Sequence, residues 1–321
     1  MPQPSQPTEN LTQLFYRYEQ LIVGLLNPSS RTDFMAGLFR LESEGTHRVQ
    51  VERGIVFLQF LLQPLEAAQT VEPAERLIEV SRNSMPGHLS IVDRAGHTRP
   101  VYRPLLAYCW MQAFRLGYEL IPHAEFGRWE EATRAWCDDL EFRLGEFIWP
   151  ASELPASSGD RVAEVCWIAL TLHIAGKVFI RDAWTDLAGD VFGKLVRRQR
   201  DTGAFLTTTL SDNPETHWFH ELVILQAAAS YAVQAEDRAL ASAVARATRF
   251  HQNETQPDHA TNQPWGLFAF LWNPDTRSVA DGMLSTLQIH GGASGNESQM
   301  PGLTLMLLAD ALYCLRLFKG R

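Results

Sequence analysis

The densest grouping of residues able to move protons is Ser211-Asp212-Asn213-Pro214-Glu215-Thr216-His217-Trp218-Phe219-His220-Glu221. Asp212 or Asn213 suits a helix N-cap, Pro214 the first helical position, and Glu215 the positive end of the helix dipole. A helix starting there carries His217, His220 and Glu221 at i, i+3 and i+4, on one face. The residues after Glu221 are almost entirely apolar, so two histidines and a carboxylate are costly there without partners. Three uses fit: a hydrogen-bond network that spaces neighbouring helices, a general acid/base site, or a metal site in which His217, His220 and Glu221 hold zinc. The order is His-x-x-His-Glu, not the His-Glu-x-x-His of zinc proteases, and a further ligand would have to come from elsewhere. The leading expectation therefore has no cofactor, with zinc as the alternative.

A second polar stretch runs from His251 to Trp265 and is rich in amides, acids and histidines. Glu254, Asp258 and His259 are its candidate acid/base groups. If two helix starts lie side by side, roughly 8–10 Å between axes, Glu221 can face Asp258 or Glu254 across a bond with a water between them. His217, His220 and His259 then supply protons or orient the substrate. Asn213 and Asn262 are candidate substrate-binding amides, and Trp218 and Trp265 candidate stacking platforms for sugar rings. A third polar stretch begins at His290-Gly291-Gly292 and continues to Gln299. It lacks a G-x-S-x-G elbow and reads as a flexible loop able to close over the same mouth.

The elements that must carry these groups are helical. Periodicity and breakers predict helices near 10–26, 48–63, 73–83, 104–119, 124–146, 160–178, 181–200, 214–233, 236–251, 262–272, 276–289 and 301–318, with a short hairpin or long loop over 87–99. Their character alternates. The segments from Pro104, Arg161, His217 and Gly302 are apolar nearly all round, whereas those from Ala124, Arg181 and Glu236 are amphipathic and charged. A helix apolar on every side must be surrounded by protein, and an amphipathic one covers it. The expected fold is all-α: an α/α toroid of about six helical hairpins in two concentric layers, with the inner-helix starts around one mouth. Residues 1–9 read as a disordered tail and 10–321 as a single toroid domain, in which 10–103 reads either as part of the ring or as a distinct N-terminal lobe.

One motif carries a resemblance. Leu195-Val196-Arg197-Arg198-Gln199-Arg200-Asp201-Thr202-Gly203-Ala204-Phe205 reads L-x3-Q-x3-G-x-F. It resembles the turn that ends outer helices in the terpenoid cyclase and protein prenyltransferase toroids, and a similar turn in six-hairpin carbohydrate-active enzymes. The resemblance covers one hairpin and implies the fold: the glutamine bonds loop backbone, the glycine takes the turn, and the aromatic plugs the gap between hairpins. The Asp-x-Asp-Asp acid motif of the cyclases does not occur. Asp138-Asp139-Leu140-Glu141 resembles a class I terpene synthase metal motif, but it sits on a charged, outer-type helix.

The chain has 321 residues, 45% of them hydrophobic and 20% charged, which excludes global disorder and leaves room for a large core. Its 37 acidic residues outnumber 28 basic ones, which argues against nucleic acid as a partner. Four scattered cysteines without a C-x-x-C read as buried thiols of a reducing compartment. With no secretion-type leader and no run long enough to span a membrane, the expected location is cytoplasmic. The expected function is a hydrolase or lyase acting on an oligosaccharide or small molecule through paired acid/base residues. The alternatives are an isoprenoid-handling enzyme of cyclase-like type, or a non-catalytic scaffold that binds a peptide or protein.

Overall fold

The structure, a computed structural model, describes residues 11–26, 39–41, 89–91, part of 104–115, 127–147, 157–206, 214–255, 263–292 and 302–319. The helices expected near 48–63 and 73–83 lie outside the described residues. Those described are α1 (Leu11–Leu26), α2 (Gly127–Gly145), α3 (Ser157–Val178), α4 (Asp182–Arg198), α5 (Pro214–Ala235), α6 (Arg238–Glu254), α7 (Leu267–Trp272), α8 (Arg277–Gly292) and α9 (Gly302–Lys319), with helical turns in 104–115. The fold is all-α. Its one described strand pairing is a short antiparallel ladder, Phe39–Leu41 with Leu89–Ile91. Most of the segment 87–99, expected as a short hairpin or long loop, lies outside the described residues; its described part, Leu89–Ile91, pairs with a strand about fifty residues earlier in the chain.

The alternation read from composition is an alternation of burial. In α5 every residue from Phe219 to Val233 is buried, and α3 is buried almost throughout from Val162 to Gly176. In α4 only Trp184, Ala188, Val191, Phe192 and Leu195 turn inward, at the spacing of one helix face. In α6 that face is Leu240, Ala243, Val244, Ala247, Thr248 and His251. The buried helices touch one another, α3 with α5, α5 with α7, and α9 with both α5 and α7, while each half-buried helix packs on its neighbour in sequence. The 104–115 segment reaches α3 through Tyr108 and Trp167, 5.2 Å between ring centroids, and α9 through the Tyr108–Asp310 hydrogen bond. Helix α1 lies on α8 and α9. There Tyr18 donates to Asp281, and Glu19 pairs with Arg316 and Lys319.

The connections divide into two kinds. Two of the connections from buried to half-buried helix, α3 to α4 and α5 to α6, are tight and nearly identical, whereas α7 passes to α8 through a short 3-10 turn, Pro274–Thr276, capped by Asn273. Arg181 N–H closes onto Gly176 C=O with Ile180 at φ 53°, and Asp237 N–H closes onto Ala232 C=O with Glu236 at φ 58°. Both are Schellman closures, with a residue other than glycine at the left-handed position. From half-buried back to buried helix the connections are long: 199–213, 255–266 and 293–301. Long connections of a rigid scaffold are where binding groups are commonly carried. No helix among the described residues is long and apolar enough to cross a membrane.

Candidate functional site

The Gln-Gly-Phe turn after α4 behaves as its chemistry demands. Gln199 Nε2 donates to Gly203 C=O at 2.8 Å and to Ala243 C=O on α6 at 2.7 Å, and its Oε1 accepts from Arg246. Gly203 has φ 98°, and a Cβ there would stand 2.5 Å from the Arg246 carbonyl oxygen, so only glycine fits. Phe205 is buried behind it. The turn is gripped from α5. Phe205 N–H and Leu206 N–H donate to the two carboxylate oxygens of Glu221, at 2.9 and 2.6 Å. Burial pushes the Glu221 carboxyl up to about 7, against the opposing pull of those two N–H groups and of Arg200.

His220 turns elsewhere. Its Nε2 lies 2.6 Å from Asp160 Oδ1, in the first turn of α3. A carboxylate can only accept, so Nε2 carries the hydrogen and donates. The imidazole is 1% exposed and the Asp160 side chain 37%, so the histidine stands behind a carboxylate that reaches solvent. The ring lies against Gly159, where a Cβ would come within 2.6 Å of Nδ1; no larger residue leaves room for this ring position. The bond joins the first turn of α3 to the second turn of α5. Gln263 and Thr304, 2.6 Å apart, join the approach to α7 to the start of α9 in the same way.

The other expected site residues divide. His217 lies in α5, one turn before Glu221, with its side chain outside the described residues. Asn213, Asp258, His259 and Asn262 are outside them altogether. Glu254 is exposed at the end of α6. Trp218 is half-buried, while Trp265 is fully buried, edge-on to Trp167 and Phe219 at 6.5 and 5.9 Å. Trp265 is thus a core residue. His220 and Glu221 do not converge: one serves α3, the other the turn after α4. Among the described residues no group of three or more His, Cys, Asp or Glu side chains is placed to hold a metal ion. His290-Gly291-Gly292, expected as loop, forms the last turn of α8, and the connection begins after it. Asp138 and Asp139 are exposed on α2, paired with Arg181 and Arg143.

Two features of the site carry little signal in the sequence. Asp160 is one, although Ser157-Ser158-Gly159-Asp160 has the composition of a helix start. The second is a buried polar cluster around Asp310. Its carboxylate accepts from Tyr108 at 2.6 Å, from Ser230 at 2.8 Å and from Gln226. Burial raises the Asp310 carboxyl, and the hydrogen bonds from Tyr108, Ser230, Gln226 and Cys314 act against it. The available signal is a polar stripe, Gln226, Ser230 and Gln234 at four-residue spacing, in a helix otherwise apolar.

No protein-family model matches the chain, and no curated protein matches it in sequence.

Proposed function

We propose that the chain is a carbohydrate-active enzyme, a hydrolase or lyase, acting by acid/base chemistry on the face where the long connections meet. The architecture we infer is a ring of helical hairpins. In support, 104–115 touches both α3 and α9, so the buried helices follow one another back to their start, and α1 covers α9 from outside. The observation that carries the functional reading is the Asp160–His220 pair between α3 and α5. Asp160 is the group that meets the substrate, and His220 positions it through their hydrogen bond. Glu254, Asp258, His217 and His259 are the candidates for the opposing acid/base group. Glu221 acts as a positioning residue, holding the turn after α4.

The test is turnover of saturated and unsaturated uronide and pyranoside oligosaccharides, followed by reducing ends and by absorbance of unsaturated products. Loss of a positioned acid/base group costs roughly 100-fold or more. Asp160→Asn is expected to lose that much with the fold intact by circular dichroism, and His220→Gln to shift the pH profile. Full activity in Asp160→Asn, or no turnover of any member of the panel, overturns the reading. A second reading, a non-catalytic scaffold that binds a peptide, is favoured by the closely packed polar cluster around Asp310 between the buried helices. Saturable peptide binding without turnover would select it.

A further inference from the structure

The hydrogen bonds around Asp310 all run one way. Gly266 N–H donates to Gln226 Oε1 at 2.8 Å, which fixes the amide orientation and turns Gln226 Nε2 onto the carboxylate. Arg115 Nε–H needs an acceptor and finds Gln112 Oε1 at 3.3 Å, so Gln112 Nε2 faces Tyr108, 2.9 Å from its oxygen. That oxygen also accepts from Gln234 Nε2 at 3.2 Å, and the Tyr108 proton is left to Asp310. Ser230 donates to the other carboxylate oxygen, and Cys314 reaches Ser230 at 3.5 Å. Every donor points toward Asp310, and the nearest cation in the chain of bonds, Arg115, reaches it only through two uncharged side chains. A ring of donors around a carboxyl group stabilises its charged form against the cost of burial.

One of these chains ends on the backbone at a particular place. Gly266 has φ 74° and immediately precedes α7. Its partner Gln226 lies about three turns, some ~18 Å, along α5 from Pro214. Helix α7 therefore begins well below the start of α5, and this bond ties its leading end to the middle of α5.

We infer that Asp310 is a positioning residue: its carboxyl group orients Gln226, Gln226 fixes the Gly266 backbone, and the start of α7 is thereby held in place. The anchoring stands on the hydrogen-bond geometry alone, and its bearing on catalysis rests on the function proposed above. The test is amide hydrogen exchange at Gly266 in the full chain, read by NMR at several urea concentrations so that local opening is separated from global unfolding. Gln226→Leu, which removes the contact, is expected to speed local exchange at Gly266 by about ten-fold or more. Asp310→Asn touches nothing on α7, yet it is expected to speed the same amide through the released Gln226. Ser230→Ala also takes a bond from Asp310 but leaves Gln226 engaged, and should leave Gly266 unchanged. Wild-type local exchange in Asp310→Asn, or equal acceleration in Ser230→Ala, overturns the inference. No substrate enters this measurement, so an absence of turnover would remove the proposed function and leave the anchoring role standing. Where turnover is found, Asp310→Asn is expected to raise KM more than it lowers kcat.

Discussion

Glu221→Gln separates the two forces acting on the buried carboxyl of α5. Both oxygens of Glu221 accept backbone N–H groups, and burial holds its pKa near 7, against 4.5 for the ordinary carboxyl. A folded-state pKa above the unfolded one means that the native state binds the proton more tightly. The stability from this site is therefore complete below about pH 4.5 and is lost as pH rises through about 7. A shift of this size, at 1.36 kcal/mol per unit, amounts to about 3 kcal/mol. The glutamine side chain cannot ionise, so the variant lacks that loss. It does place an NH2 group against one of the two backbone N–H donors, which costs about 1–3 kcal/mol at every pH. The two curves should converge. Wild type is the more stable protein at pH 5, and by pH 8 the advantage has vanished or reversed. Urea unfolding followed by tryptophan fluorescence from pH 5 to 8 measures this, and groups that titrate alike in both proteins cancel in the difference. A gap that stays constant or widens with pH would refute the reasoning. It would mean that the two N–H bonds outweigh desolvation and that Glu221 is an ordinary, fully ionised acid in the fold.

The remaining predictions concern backbone and burial. Gly203→Ala puts a Cβ 2.5 Å from the Arg246 carbonyl oxygen at a φ of 98°, and should cost about 2 kcal/mol or more in urea unfolding; a neutral result would contradict the turn's geometry. Ile180→Gly should act in the opposite direction. A β-branched residue 89% exposed at φ 53° gives up little packing, and relief of about 1–2 kcal/mol of left-handed strain exceeds glycine's entropic cost of about 0.5–1, so the midpoint of thermal unfolding should rise. Cys137, Cys166 and Cys314 are buried free thiols, with Cys137 pushed up to about 12 by burial and the other two raised as well. A thiol-disulfide dye at neutral pH should leave these three unlabelled in the native protein and label them all in urea, as peptide mapping would show.

How much of this is legible in the sequence depends on what each signal measures. The alternation of apolar and amphipathic segments reports the environment of a whole helix, so α3, α4, α5, α6 and α9 fall within a few residues of expectation. At α7 the pattern misleads: Trp265 is apolar and in phase with the helix, but Pro264 and the left-handed Gly266 delay the first turn to Leu267. At α8 the glycines read as a breaker, whereas Gly291 and Gly292 close the last turn, where glycine is tolerated. The ladder of Leu89–Ile91 with Phe39–Leu41 is invisible to such a reading, because a three-residue strand carries no information about a distant partner.

The site shows a sharper limit. His220 and Glu221 are adjacent and chemically matched, which invites a joint role. Successive helix residues, however, point about 100° apart. In a helix surrounded by protein that angle is the difference between two neighbours, so the histidine meets Asp160 and the carboxylate meets the turn after α4. The reverse error occurs at longer spacing. Gln226, Ser230 and Gln234 look unrelated in the sequence but share one face. On the partner segments Tyr108, Gln112 and Arg115, and Asp310 and Cys314, repeat that three-to-four-residue spacing. These stripes meet because each buried helix has a neighbour on every side and can satisfy a polar group only by aligning it with another. Within such helices, polar residues three or four apart are better evidence of a shared site than polar residues side by side.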